Sequence, residues 1–427
     1  MAEAGGVLLA AYRLAGRFSV AGLKLLHARR VRCGKEDPAR RGERFGVPGL
    51  SPRPGPHVWV HAASVGETNA VLPLIEWLVG RGLNVVLTTG TVTSAHLAAE
   101  CLPEGGVHQY VPYDVVPLVE RFLDTWRPKL AIMVESEIWP TTFSELAARN
   151  IPTVVVNGRM SERSCRGWLR FGSGARGVFG CLTMCLAQSE ADAERFACLG
   201  VREVRAMGNL KFDVPALPYD EAARAALAAE IGDRPVWIAA STHPGEEEML
   251  AAIHKALRET VPDLLLISAP RHPECGPEVA DVFARAGHDV SLRSRAEAIR
   301  GGTDVYVADT IGELGLFYRL APIAFIGGSL VPHGGQNPIE PAQIGCAILS
   351  GSNVRNFSGI YRSLRDARGA LLVKDAADLR EELTRLLNDD AAIADLAEAA
   401  RGCARSGQGA LAAVTEVLEG ELEGPLK

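Results

Sequence analysis

The sequence predicts an α/β protein built from two doubly wound parallel-sheet domains. Three observations lead there. From residue 58 onward, short β-branched runs alternate with segments of helical period. The runs are apolar throughout, as strands covered by helices on both faces are. The alternation breaks once, at "GNLKFDVPALP" (208–218), where two prolines and no helical period mark a linker before the pattern resumes. A chain of 427 residues is also too long for one ordinary core.

Residues 1–30 stand apart. At 100° per residue, Arg13, Arg17 and Lys24 share a stripe of about 40°, with Leu8, Ala11, Ala15, Phe18, Gly22, Leu25 and Leu26 opposite. This segment is expected to lie in a membrane interface, its cations toward anionic headgroups. Between Arg13 and Arg44, ten Lys/Arg face Glu36, Asp37 and Glu43, a local balance of +7 in a chain of net charge −6. An anionic membrane surface is the expected partner of that arm, and the acidic remainder gives no reason to expect nucleic acid. No uncharged run reaches the roughly 18–20 residues of a spanning helix. No positive n-region precedes the first apolar stretch, so no signal peptide is expected either.

The first domain is expected over 31–212. Its strands read at 58–63, 85–89, 129–134, 153–157 and 182–187, with helical segments at 70–78, 94–101 and 141–149. Two strand-end loops carry acids. "HAASVGET" (61–68) places Glu67 where a strand hands over to a helix, with Gly66 keeping the turn tight. There Glu67 is either a partner of the helix dipole or a general base. "ESEIWP" (135–140) adds Glu135 and Glu137, which can bind metal, hydrogen-bond a sugar or orient a base. Lys211, in the linker, is a nearby cation. Gly172-Ser-Gly174-Ala-Arg-Gly177 matches GxGxxG but precedes a strand-like run, the wrong context for a dinucleotide site.

The second domain is expected over 213–427, with strands at 236–240, 264–269, 305–308, 323–326 and 347–349. Its informative loop is "GGSLVPHGGQNPIEP" (327–341). Asn337 at N-cap, Pro338 at N1 and Glu340 at N3, with Ile339 between them, open a helix whose amides suit a phosphate, while Glu340 can turn to ligand hydroxyls. Ser241 and Thr242, Pro270-Arg271, and Ile311-Gly312-Glu313 end other strands of this domain, and together these loops read as a nucleotide site. Ligands are expected in a cleft between the domains.

The nine cysteines include no CxxC pair, so neither zinc nor disulfides are indicated and the thiols are expected to be reduced core residues. No DxD motif, His cluster or Walker sequence occurs. No metal and no cofactor are expected.

The strings "ERFG" (43–46), "HAASVGET", "PYD" (112–114), "ESEIWP", "NGRMSERS" (157–164), "GNLKFD", "STHPGEEE", "PRHPE", "IGEL" and "GGSLVPHGGQNPIEPA" run in order over most of the chain. Together they resemble the bacterial 3-deoxy-D-manno-octulosonic acid (Kdo) transferases of lipid A and lipopolysaccharide biosynthesis. The resemblance implies a GT-B architecture of two Rossmann-like domains and an inverting, metal-independent transfer of Kdo from CMP-Kdo to a glucosamine hydroxyl of lipid IVA. It implies Glu67 as general base and Lys211 with one of Glu135 and Glu137 as transition-state residues. CMP would be bound by Pro270-Arg271, 311–313 and 337–340. Ser64 and Gly66 would stand on the acceptor side. Because that acceptor is a lipid, peripheral attachment to the cytoplasmic face of the inner membrane is expected. The alternatives are another GT-B nucleotide-sugar enzyme such as a 2-epimerase, or a non-catalytic membrane-bound nucleotide-sugar-binding protein.

Overall fold

The computed structural model describes residues 12–16 and 18–422. The chain divides into two compact units, Met1–Val214 with Gly407–Lys427, and Pro215–Ser406. Each contains one seven-stranded parallel sheet.

In the first unit the strands are β1 (His57–His61), β2 (Asn84–Thr89), β3 (Gly106–Tyr110), β4 (Leu130–Val134), β5 (Thr153–Gly158), β6 (Met184–Ala187) and β7 (Glu203–Ala206). Their order is β3-β2-β1-β4-β5-β6-β7, so the winding reverses between β1 and β4. Alternation sorts the side chains. Val58 and Val60 enter one core with Val71, Leu74 and Ile75, whereas Trp59 enters the other with Phe122 and Trp126. β3 and β7 are edge strands that the apolar-run pattern does not reveal.

The second unit holds β8 (Val236–Thr242), β9 (Leu265–Pro270), β10 (Val290–Leu292), β11 (Val305–Val307), β12 (Ile323–Ile326), β13 (Ala347–Gly351) and β14 (Ala370–Val373). Here the order is β10-β11-β9-β8-β12-β13-β14, with the reversal between β8 and β12. β10 and β14 are again unforeseen edges.

Four expectations need correction. The last helix, Ala410–Leu422, belongs to the first unit and not to a second domain running to 427. Val414 and Leu418 bury in the first core, and Asp213 accepts from Gly409 N (2.6 Å) and Leu411 N (2.7 Å). The GxGxxG segment opens a helix, Ser173–Phe179, and not a strand; it follows another helix, so the dinucleotide reading still fails. Not all cysteines are core residues, since Cys33, Cys101 and Cys198 are exposed.

The fourth correction concerns the amino-terminal arm, of which residues 1–11 and 17 lie outside the described part. Arg13 does not face outward: it pairs with the buried Glu145. The following helix, Val20–Arg32, belongs to the first unit and seats His27 against Tyr113 (Nδ1 to hydroxyl, 3.1 Å) and Phe45. Much of the basic run is neutralised internally. Arg30 and Arg44 converge on buried Glu36, and Arg40 forks onto Glu43. Phe18 and Leu25, by contrast, are 81% and 75% exposed. No helix among the described residues is long and apolar enough to cross a membrane.

Candidate functional site

The reversal between β1 and β4 leaves a crevice at their carboxyl ends, the place where open parallel sheets bind ligands. Glu67 and Glu135 arrive there from the two strands. Ser64 caps the Val65–Gly80 helix, its hydroxyl accepting from Glu67 N at 3.3 Å. Glu67 returns the contact, accepting from Ala63 N (2.7 Å) and from the Ser64 hydroxyl (2.9 Å). This is a variant of the capping box: the N3 glutamate reaches past the cap residue's own amide to the amide before it and to the cap hydroxyl. Burial first, and then the charge of Glu135, raise the Glu67 carboxyl to about 7. The Ala63 amide opposes that rise, Glu137 adds to it and the Ser64 hydroxyl opposes it. The capped carboxyl therefore titrates near neutrality. The two readings of Glu67 left open by the sequence are compatible.

Glu135 is a buried non-glycine residue with φ 58°, a left-handed conformation that costs roughly 1–2 kcal/mol. Lys211 Nζ lies 2.6 Å from its Oε1. Asn157, also left-handed at φ 55°, offers Nδ2 to the same oxygen at 3.5 Å and accepts from Leu210 N at 3.1 Å. It thereby ties the β5 end to the segment that carries Lys211. Glu137 points elsewhere: its Oε2 accepts from Trp139 Nε1 at 3.0 Å and lies 3.4 Å from His61 Nε2. The ring of His61 is oriented by the Thr88 carbonyl, 3.0 Å from Nδ1. His61 and Asn157 belong to quoted strings but carried no assigned role. Asp114 is a third such residue. It accepts from Thr141 N, Thr142 N and the Thr142 hydroxyl at 3.0, 2.7 and 2.8 Å, capping the Pro140–Ala148 helix that follows "ESEIWP". No local signal marks Asp114 as that cap, because it stands more than twenty residues upstream.

In the second unit a cavity of about 310 Å³ is lined by Ser241, Pro270, Arg271, Ile311 and Gly312, together with Thr310 and Phe317. Five expected positions from three loops thus meet in one place. Ser241 has φ 55° at an irregularity of the β8 ladder, and Arg271 N donates to the Thr242 carbonyl at 3.0 Å. Thr242 itself lines a separate cavity of about 380 Å³ with Pro244 and His272. Glu313 is committed to Arg293 (3.0 and 2.6 Å) and to the Thr310 hydroxyl, so it is a structural ion pair.

The Asn337–Glu340 helix start is shifted by one residue. The helix is Ile339–Ile344 with Pro338 at the cap, so Asn337 precedes the cap, Pro338 is not N1 and Glu340 is not N3. Asn337 nevertheless accepts from Ile339 N at 3.1 Å and donates to Glu340 Oε1 at 3.0 Å. Burial pushes the Glu340 carboxyl up, while Asn337 and the charge of Arg271 pull it down. That attraction places Glu340 in the electrostatic neighbourhood of the cavity's one arginine. Among the described residues no three His, Cys, Asp or Glu side chains stand so that they could share a metal ion.

Residues 39–214 match the family described as 3-deoxy-D-manno-octulosonic-acid transferase (kdotransferase). The chain is 35% identical over 393 residues to the 3-deoxy-D-manno-octulosonic acid transferase of Haemophilus influenzae, covering 90% of this chain and 92% of that one. It is also 35% identical over 393 residues to the enzyme of that name from Bordetella pertussis, covering 90% and 91%. In three dimensions it is similar to a glycosyltransferase of Rickettsia africae, with TM-score 0.57 over 88% of this chain and all of that one; at 11% identity the likeness is one of fold.

Proposed function

As the chain belongs to the 3-deoxy-D-manno-octulosonic acid transferase family and is a glycosyltransferase of GT-B fold, we propose that it moves Kdo from CMP-Kdo to a glucosamine hydroxyl of lipid IVA with inversion. The first unit takes the acceptor and the second the donor. Glu67 removes the hydroxyl proton as that oxygen attacks the anomeric carbon of Kdo. The bond to the phosphate of CMP breaks, and CMP leaves with the electron pair. Arg271 stabilises the charge gained by the phosphate without a metal, as a fixed cation facing developing charge does. The Lys211–Glu135 pair of the same crevice is assigned to stabilising the transition state.

The observation that carries this reading is the Glu67 carboxyl, held by the Ala63 amide and the Ser64 hydroxyl at the β1 end and raised to about 7. A carboxyl at that value accepts protons far better than an ordinary glutamate while remaining substantially ionised at neutral pH. We propose further that the protein attaches peripherally to the cytoplasmic face of the inner membrane. The exposed Phe18 and Leu25 support that attachment, and Arg29, Arg32, Lys35 and Arg41 of the same arm are exposed cations. Purified protein incubated with CMP-Kdo and lipid IVA should yield lipid IVA heavier by whole Kdo increments in mass spectrometry. Unchanged lipid IVA beside intact CMP-Kdo would refute the assignment.

A further inference from the structure

Glu246 opens the Glu246–Arg258 helix and is fully buried. Both of its oxygens are taken by backbone amides. Oε2 accepts from His243 N (3.0 Å) and Gly328 N (2.6 Å), and Oε1 accepts from Ser329 N (3.0 Å) and Leu330 N (2.9 Å). The donors come from the loops after β8 and β12, the two strands at which the second sheet reverses its winding. Converging amides at such a point ordinarily cradle a phosphate. Here a side chain of the same unit fills the cradle.

We propose that Glu246 is a positioning residue for donor binding: it locks the glycine-rich loop to the β8 end and reserves these amides, so the donor phosphate is bound elsewhere, toward Arg271. The inference rests on the reading that the second unit takes the donor. The mechanical path is short. The Gly328 carbonyl accepts from Gly334 N (3.1 Å) and Gly335 N (2.7 Å), and Asn337 follows two residues later. The loop has little slack, because a Cβ on Gly327 would lie 2.6 Å from the Ser241 carbonyl oxygen. The residue whose amide Glu246 holds on the β8 side also reaches across. His243 stacks on His333 at 3.7 Å between ring centroids, and its Nε2 accepts from Gln336 Nε2 at 2.8 Å. Burial first, then the neighbouring His333, keeps the His243 ring down at about 4, so at neutral pH it is the acceptor this bond requires. His333 and Gln336 thus gain a role as the far clasp of the loop.

The test uses the full chain. Glu246→Gln replaces one acceptor oxygen by a donor, and Phe283→Leu loosens the second core away from the loops. Each is characterised by Tm and by calorimetry with CMP, and Arg271→Ala serves as a direct-contact control. Glu246→Gln should weaken CMP binding and raise the donor KM at least tenfold, while Phe283→Leu should leave both within twofold despite a lowered Tm. Should Glu246→Gln not fold, Glu246→Asp, which keeps both oxygens on a shorter arm, takes its place with the same expectation. CMP affinity within twofold of the parent in the glutamate variant, with Arg271→Ala impaired, would overturn the inference alone. CMP affinity unaltered in both would overturn the donor assignment beneath it.

Discussion

Lys211 and Glu135 meet at 2.6 Å across the first unit, side chains 15% and 10% exposed, and that contact sets the electrostatics of the β1–β4 crevice. Glu135 has a cation of its own. Glu67, which feels the charge of Glu135, has only the Ala63 amide and the Ser64 hydroxyl to offset burial. One carboxylate is thereby assigned to structure and the other is left basic.

Glu67→Gln keeps the side chain's size but removes the proton acceptor. Turnover should fall by about 10²–10⁴ while CMP affinity stays unchanged. The raised carboxyl also has a signature in pH. Protonated Glu67 cannot act as base, so kcat/KM should climb as pH rises through about 7 and level off above it. The glutamine variant should lack that ascending limb. Near-parental turnover in Glu67→Gln would leave the residue only its role as a cap.

Removing one member of the ion pair strands the other. Lys211→Met should destabilise the first unit by about 3 kcal/mol, the lower end for breaking a buried pair, because Asn157 still offers an amide. Glu135→Gln combined with Lys211→Met should be less destabilised than Lys211→Met alone. Urea unfolding measures both, and simple additivity of the two single losses would show that the contact contributes nothing.

Nucleotide affinity should separate the units. Arg271→Ala and Glu340→Ala are expected to weaken CMP binding by on the order of 1–3 kcal/mol, as for a hydrogen bond involving a charged group. Glu313→Ala should lower stability through Arg293 more than it lowers affinity, because its oxygens are already engaged. Calorimetry that ranked Glu67→Gln as the most impaired in CMP binding would reverse the allocation of substrates.

The last helix can be tested by deletion. Val414 and Leu418 are buried in the first core and contribute about 1.5–3 kcal/mol each. Ending the chain after Ser406 should therefore destabilise the first unit by several kcal/mol and leave CMP binding by the second intact. A deletion that unfolded the second unit preferentially would contradict the packing.

Phe18 and Leu25 contact solvent, so Phe18→Ser with Leu25→Ser should leave Tm unchanged. If both side chains enter a bilayer interface, sedimentation with phosphatidylglycerol vesicles should fall by about a hundredfold, from about 1.5 kcal/mol for each. Equal sedimentation of parent and variant would remove this segment as an anchor.

The ten central strands are legible in the sequence because each is buried on both faces and reads as an unbroken apolar run. The four that escape the pattern, β3, β7, β10 and β14, are the four sheet edges. "GVHQY" and "EVRA" interrupt the apolar run with polar residues, and β10 is only three residues long. An edge strand has one strand neighbour and can be short or carry polar residues, as β10 and β7 do, whereas β14 ("ALLV") is apolar but only four residues long.

By itself the sequence determined the two doubly wound units, the linker near residue 214 and the loops that present Glu67, Glu135 and Arg271. Those features follow from local periodicity, capping and turn chemistry. Only the tertiary structure decided that Lys211 pairs with Glu135 and not Glu137, that Asp114 caps the helix after "ESEIWP", that Glu313 belongs to Arg293, and that Glu246 fills the amide cradle of a loop beginning 82 residues away. Each of these contacts depends on which strands lie side by side at the winding reversal and on which way a side chain leaves its strand end. Strand order and direction are settled by packing the whole sheet, and no window of neighbouring residues contains them.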